Sequence, residues 1–211
     1  MSAPVRAVIS DFGGVLTNPL VEAFLHFQEQ SGISLEDLGK AMHAAAEERG
    51  GEHPLFMLEK GLISEREFLR RLEAHLPPGS RLDGFSEIWF DALHPNEELL
   101  AYLRGLRERG LRMALLTNNV REWEPHWRAK LPELDEIFEV IVDSAFVGMR
   151  KPEPEIYHLT VERIRGVEMR ECLFLDDMEV NVAAARELGM RAILFESTEQ
   201  AITAIEEELR T

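Results

Sequence analysis

The 211-residue chain carries 23 Lys and Arg against 39 Asp and Glu, a formal charge of −16. That balance disfavours nucleic acid and anionic membranes as partners, because both reward a basic surface, yet one lysine and a cation can reverse the potential locally for a small anionic substrate. No stretch reaches the roughly 18 apolar residues of a membrane span, "MSAPVRAVIS" has no cleavable signal pattern, and Cys172 stands alone, so a cytoplasmic protein without an internal disulfide is expected.

The first apolar run, "VRAVIS", stops at Asp11 and is followed by Phe12, Gly13 and Gly14. From Pro19 to His94 no convincing strand appears; "PLVEAFLHFQEQSG", "SLEDLGKAMHAAAEERGG" and "ISEREFLRRLEAHLP" have helical character, and Ser34 and Ser64 each precede an acid by three residues, as in a capping box. Phe24, Phe27, Phe56, Phe68, Phe85, Trp89 and Phe90 read as the core of this insertion. Asn96 to Arg109 carries a stripe of Leu99, Leu100, Leu103 and Leu106 and ends at Gly110. The run "RMALLTNN" follows, then "REWEPHW", whose Trp123 and Trp127 suit packing.

Beyond the next run, "FEVIVDS", "GMRKPEPEIY" brings Lys151 before a helix with Pro152 and Pro154 in its first turn, reading from Glu153 to Arg165 and ending at Gly166. "CLFLDD", with Cys172 as a buried strand residue, leads into a helix from Met178 to Leu188, and "RAILFE" closes the series. Near-continuous apolar runs imply strands covered on both faces, and their alternation with helices implies a doubly wound parallel α/β sheet. The expected organisation is an α/β core of 1–17 and 95–211 with a helical cap inserted at 18–94.

Ligands of such sheets bind at the C-terminal ends of the strands. The residues there are Asp11 after the first run, Thr117 and Asn118 after the second, Lys151 before a helix, and Asp176 with Asp177 after the fourth. Each alone has an ordinary explanation, as a helix N-cap, turn chemistry or a solvated lysine. Adjacent acids leaving an apolar strand are harder to dismiss, because they repel unless a cation or donor offsets them.

Taken together, "DFGGVLT", "LLTNN", "RKPEPEIY" and "LFLDDMEVNVAAARELGM" resemble, in order, the four motifs of the haloacid dehalogenase superfamily. The later motifs are similar to the N-terminal phosphatase domain of soluble epoxide hydrolases, and "DFGGVL" with "LEKGLISEREFL" to bacterial glucose-1-phosphate phosphatases. The resemblance implies a Rossmann-like core, a helical cap, and an Mg²⁺-dependent hydrolase acting on a small phosphorylated metabolite, as a monomer or homodimer. It makes Asp11 the nucleophile that forms an aspartyl-phosphate. Asp11, the Gly13 carbonyl, Asp176 and Asp177 become the metal site, Thr117 and Asn118 donors to the phosphoryl oxygens, and Lys151 their neutralising cation. Asn181 takes a supporting role where many members carry another acid.

At Gly13 the chain departs from the phosphatase pattern, which places there an aspartate that protonates the leaving oxygen. General acid catalysis contributes about 10²- to 10⁴-fold, so its loss favours substrates with good leaving groups, or an acid borrowed from His43, His53, His94 or a glutamate of the insertion. Relatives with the same glycine are phosphatases, so that reading leads. A 2-haloacid dehalogenase needs no such acid, but those enzymes lack the metal-binding acid pair. A phosphate-binding module without turnover is the third reading, against which stand the retained Asp11, Lys151 and Asp177.

Overall fold

The computed structural model describes residues 3–47 and 53–210. Its strands are β1 (Ala7–Ser10), β2 (Arg112–Thr117), β3 (Val140–Asp143), β4 (Cys172–Asp176) and β5 (Arg191–Leu194). They form one parallel sheet in the order β3-β2-β1-β4-β5. Helices α1 (Leu20–Ser31), α2 (Leu35–Glu47), α3 (Pro54–Glu59), α4 (Glu65–Glu73) and α5 (Phe85–Asp91) all fall between β1 and β2, ahead of α6 (Glu97–Glu108). Between β2 and β3 lie α7 (Glu124–Lys130) and α8 (Leu134–Ile137); α9 (Ser144–Val147) and α10 (Pro154–Ile164) precede β4. The last helices, α11 (Glu179–Glu187) and α12 (Thr198–Leu209), flank β5.

The central strands β1, β2 and β4 are buried because both sheet faces are covered, while the edge strands β3 and β5 are partly exposed. Val8, Leu115, Leu173 and Leu175 point into a core shared with the leucines of α6 and with Ala201 and Ile205 of α12. Ile9, Leu116, Val142 and Phe174 point the other way, against Ile156 and Ile164 of α10 and Ala185 of α11. This two-sided burial is why the strands read as unbroken apolar runs rather than alternating ones. Cys172 is buried in β4, where its surroundings push the thiol up to about 12. Among the described residues no helix is long and apolar enough to cross a membrane.

The long helices of the sequence reading appear with boundaries shifted by a residue or so; residues 48–51 of the second helical stretch lie outside the described residues. Ser34 and Ser64 each accept the backbone N–H three residues on, from Asp37 (3.0 Å) and Glu67 (3.2 Å). Only half of the second capping box forms, since the Glu67 carboxylate is taken by Arg70 and Arg71. Helices α3, α5 and α7–α9 span four to seven residues, too few for a periodic pattern to declare itself. Phe24, Phe27, Phe85, Trp89 and Phe90 pack on one another and on Trp123, which stacks on Phe85 and meets Phe90 edge-on, and Phe68 is buried; Phe56 is not part of this core but is exposed, against His53 and Arg150.

The insertion leaves and rejoins the sheet through two strands of chain zipped together. Thr17 bridges Pro95, the Asn18 N–H donates to the His94 carbonyl (3.0 Å), and the Asn96 N–H donates to the Leu16 carbonyl (2.9 Å). The Asn96 amide adds a bond to the Val15 carbonyl, tying this junction to the loop that follows β1.

At the free edge of the sheet, Asp143 closes β3 and is 6 % exposed; one carboxylate oxygen accepts from the Ala145 N–H while the other is buried without a hydrogen-bond partner. Burial pushes its pKa up to about 6, with Glu124 adding to the effect and Arg121 and Arg128 opposing it. The folded state therefore binds this proton more tightly than the unfolded chain, and its contribution to stability is lost as pH rises from about 4 to 6. Asp143→Asn lacks this loss. Urea unfolding should show the variant gaining on the wild type as pH rises through that window, by up to roughly 3 kcal/mol for a two-unit shift. A pH-independent difference would contradict the assignment.

Candidate active site

Chain order runs outward from β1 to β2 and β3, then returns across β1 to β4, so the strand order reverses beside β1. The crevice outside the C-terminal ends of β1 and β4 is where ligands of open α/β sheets bind. Asp11 stands one residue beyond β1, held on the ladder by its N–H to the Leu175 carbonyl (2.8 Å). Asp176 ends β4, Asp177 follows, and one oxygen from each of the three acids lies within 4.8 Å of the others.

Lys151 reaches into this group from the turn before α10. Its Nζ is 2.6 Å from Asp11 Oδ1 and 2.6 Å from Asp176 Oδ2, and the side chain is 1 % exposed. Asn118 holds the lysine from behind: its Oδ1 accepts the Lys151 N–H (2.8 Å) and its Nδ2 donates to the Lys151 carbonyl (3.0 Å). The Asn118 side chain thus places Lys151. Thr117, at the end of β2, is buried beside it.

Asp176 is fully buried and saturated. Besides Lys151 it accepts the Met178 N–H (2.8 Å) and two bonds from Asn181 Nδ2 (3.0 and 3.2 Å), while Tyr157 donates its hydroxyl to the Asn181 carbonyl (3.0 Å). Asp177 is half-buried, its carboxylate set against the backbone at Gly14.

The electrostatics follow from three acids against one lysine. Burial raises the Asp11 pKa above the ordinary carboxylate range, Lys151 opposes this and Asp176 adds to it. Burial and Asp176 raise Asp177 likewise. Desolvation works against the charge on Lys151, but Asp11 and Asp176 outweigh it and hold its pKa above normal. An all-oxygen donor set with surplus negative charge suits a hard divalent cation, which offsets the repulsion that burial magnifies.

The two glycines after Asp11 differ. Gly14 has φ +77°, and a Cβ there would lie 2.4 Å from Asp177 Oδ2, so backbone conformation and close approach both demand glycine. Gly13 lies outside the left-handed region, and a Cβ there would meet only the methyl groups of Leu20, at 3.1 and 3.3 Å. The backbone accepts a side chain at Gly13; Leu20, opening α1, occupies the neighbourhood.

No histidine of the insertion is brought to the cluster in the described contacts. His43 is exposed and paired with Glu47 (3.3 Å), His53 caps α3 and packs on Phe56, and His94 is exposed at the junction with the core. Trp127 is buried against Phe12, beside the nucleophile position, and Trp123 donates its Nε1 to Glu65 (2.7 Å); both pack rather than roof the cluster. The sequence reading missed Glu59, Lys60 and Arg150, which join the insertion to the loop carrying Lys151. Nothing in "LEKG" announces partners some 90 residues away.

Comparison with known proteins agrees with this geometry. The model of the haloacid dehalogenase-like hydrolases matches residues 5–189. The chain belongs to that family. It is 28 % identical over 200 residues to a sesquiterpene phosphatase of Aspergillus oryzae, covering 90 % of this chain and 89 % of the relative. Rat bifunctional epoxide hydrolase 2 is 26 % identical over 216 residues, 96 % of this chain, which thus spans 38 % of that longer protein. Among solved structures, "a predicted HAD-like family hydrolase" from Porphyromonas gingivalis superposes with a TM-score of 0.74 at 27 % identity, covering 99 % of this chain and 100 % of the other. A HAD family enzyme from Bacteroides thetaiotaomicron, in complex with magnesium and inorganic phosphate, superposes with a TM-score of 0.67 at 25 % identity, covering 91 % and 94 %. The chain is accordingly a HAD-family hydrolase with phosphatases among its relatives.

The glycine geometry yields a comparison. Gly14→Ala, strained in its backbone and driven against Asp177, should cost about 1–3 kcal/mol in denaturant unfolding, and Gly13→Ala distinctly less, because a leucine side chain can move aside. Equal costs would refute the distinction.

Proposed function

We propose that the chain is a magnesium-dependent phosphatase of small phosphorylated metabolites, with Asp11 as the nucleophile and residues 18–94 as a cap over the site. The observation that carries this reading is Lys151 held 2.6 Å from both Asp11 and Asp176, with Asp177 alongside, where the strand order reverses.

Asp11, the Gly13 carbonyl and Asp177 would hold the metal, with Asp176 behind them because its oxygens already serve Lys151, Met178 and Asn181. Bound Mg²⁺ supplies charge that screens a carboxylate nucleophile from a phosphate dianion. Asp11 attacks phosphorus, forming an acyl phosphate and releasing the alkoxide; water then attacks the same phosphorus and regenerates the carboxylate. Lys151 neutralises the phosphoryl oxygens as charge spreads over them, and the Thr117 hydroxyl with the Asn118 main-chain N–H would donate to them.

The leaving oxygen finds no acid at position 13. Losing a general acid typically costs about 10²- to 10⁴-fold, a penalty that is small for acyl or aryl phosphates and large for alkyl ones. The acid pair argues against dehalogenation without metal, and the intact lysine against a module that merely binds. A cytoplasmic location and a monomer or homodimer complete the reading.

Mg²⁺-dependent phosphate release from acetyl phosphate or p-nitrophenyl phosphate is expected, abolished in Asp11→Asn. Halide release from 2-chloropropionate that is indifferent to EDTA would instead favour the dehalogenase. Gly13→Asp, combined with Leu20→Ala to give the new side chain room, should raise turnover more on alkyl than on aryl phosphates. An equal gain on both classes would sink the missing-acid account.

A further inference from the structure

Cap and core meet at a second place, far in sequence from the junction at Thr17 and Pro95. Two consecutive cap residues of opposite charge grip two core residues of opposite charge. Arg150 Nε donates to Glu59 Oε2 at 2.6 Å, with its guanidinium 4.0 Å from the Phe56 ring centroid, and Lys60 Nζ lies 2.5 Å from Glu153 Oε1. The other Glu153 oxygen accepts the Arg150 N–H (3.1 Å), closing the arrangement into a loop. The residues gripped, Arg150 and Glu153, bracket Lys151.

The same cap turn is pressed against the core backbone. Ser144 donates its hydroxyl to the Glu59 carbonyl (2.5 Å) and accepts the Asn119 N–H (3.0 Å) from the loop after β2. Gly61 (φ +65°) lies so close to α9 that a Cβ would stand 2.3 Å from the Ala145 carbonyl oxygen and 2.7 Å from Arg121 Nη2. Glu59 is largely buried; desolvation raises its carboxyl above the usual range, opposed by Arg150 and also by Lys151, whose charge it senses.

We infer that Glu59 and Lys60 are positioning residues: through Arg150 and Glu153 they couple closure of the cap to the placement of Lys151. The lysine loop has two supports, Asn118 from the core and this crossed charge pair from the cap. When the cap lifts, the second support goes, and the loop that carries Lys151 rests on Asn118 alone. With the cap down, the loop is braced from both sides and the lysine is set for a phosphoryl oxygen. Full neutralising power therefore arrives only once the site is shut, when excluded water makes the lysine's charge most effective.

The inference rests on the phosphatase reading for its ligand and is tested with inorganic phosphate. Glu59→Gln and Lys60→Met keep the side-chain shapes and remove one charge each; neither residue touches the acid cluster in the described contacts. Phosphate affinity at saturating Mg²⁺, melting temperature and hydrogen exchange of segments 54–62 and 144–153 are measured on wild type and variants. Each variant should bind phosphate roughly tenfold more weakly, as expected for losing one partner of a charge-assisted pair. Exchange should quicken in both segments while the melting temperature changes little. Faster exchange in 54–62 with phosphate affinity and 144–153 unchanged would mean a fastening without bearing on Lys151, and would overturn the inference, as would no change at all. If the wild type binds no phosphate, the phosphatase reading fails, and exchange in 144–153 alone decides the coupling.

Discussion

One buried ammonium group between two buried carboxylates organises the site. Lys151 is almost wholly withdrawn from water, as are Asp11 and Asp176, and each is tolerable there only because the others are. Removing one partner from such a group typically costs about 3–5 kcal/mol, since an uncompensated charge stays buried. The fold invests accordingly: Asn118 clasps the backbone of Lys151, and Asn181, braced by Tyr157, orients Asp176. Asp11, Asn118 and Asp176 stand at three different strand ends, Lys151 on a turn, and Asn181 and Tyr157 on helices behind them, so the parallel sheet is what makes their meeting possible.

The arrangement leaves the acids in excess, and that imbalance gives the site its chemistry. On the phosphatase reading, a cation near Asp11 and Asp177 would complete the charge balance, and a phosphoryl group would bring oxygens for both the cation and the lysine. Gly14 lets the chain turn beneath Asp177, a geometric need with no substitute. Gly13 answers no such need, for its backbone would accept a side chain. On the phosphatase reading, its bareness, with Leu20 beside it, bears on proton supply and thus on the substrate's leaving group.

Much of this was legible in the sequence because it depends on local pattern. Runs such as "CLFLDD" show both that a strand is covered on two faces and that acids stand at its end. Asp11, Thr117 and Asp176 each close an apolar run, and β1, β2 and β4 are neighbours in the sheet, so their ends meet. What stayed hidden is what depends on distant pairing. Nothing local says that the side chain of Asn118 clasps the backbone of Lys151, 33 residues on. Glu59 and Lys60 gave no local sign of their role because their partners, Arg150 and Glu153, lie some 90 residues away, across the contact between insertion and core. Helices such as α9, a single turn, are too short to leave a period.

The central claim is that Asp11 itself accepts the phosphoryl group. Its most direct test is rapid quenching of the enzyme during turnover of acetyl phosphate with Mg²⁺, followed by borohydride reduction and peptide mass spectrometry. An acyl phosphate at Asp11 is reduced to homoserine, so the account predicts homoserine at position 11, dependent on substrate and metal. Phosphate release with Asp11 recovered as unmodified aspartate at every quench time would contradict it.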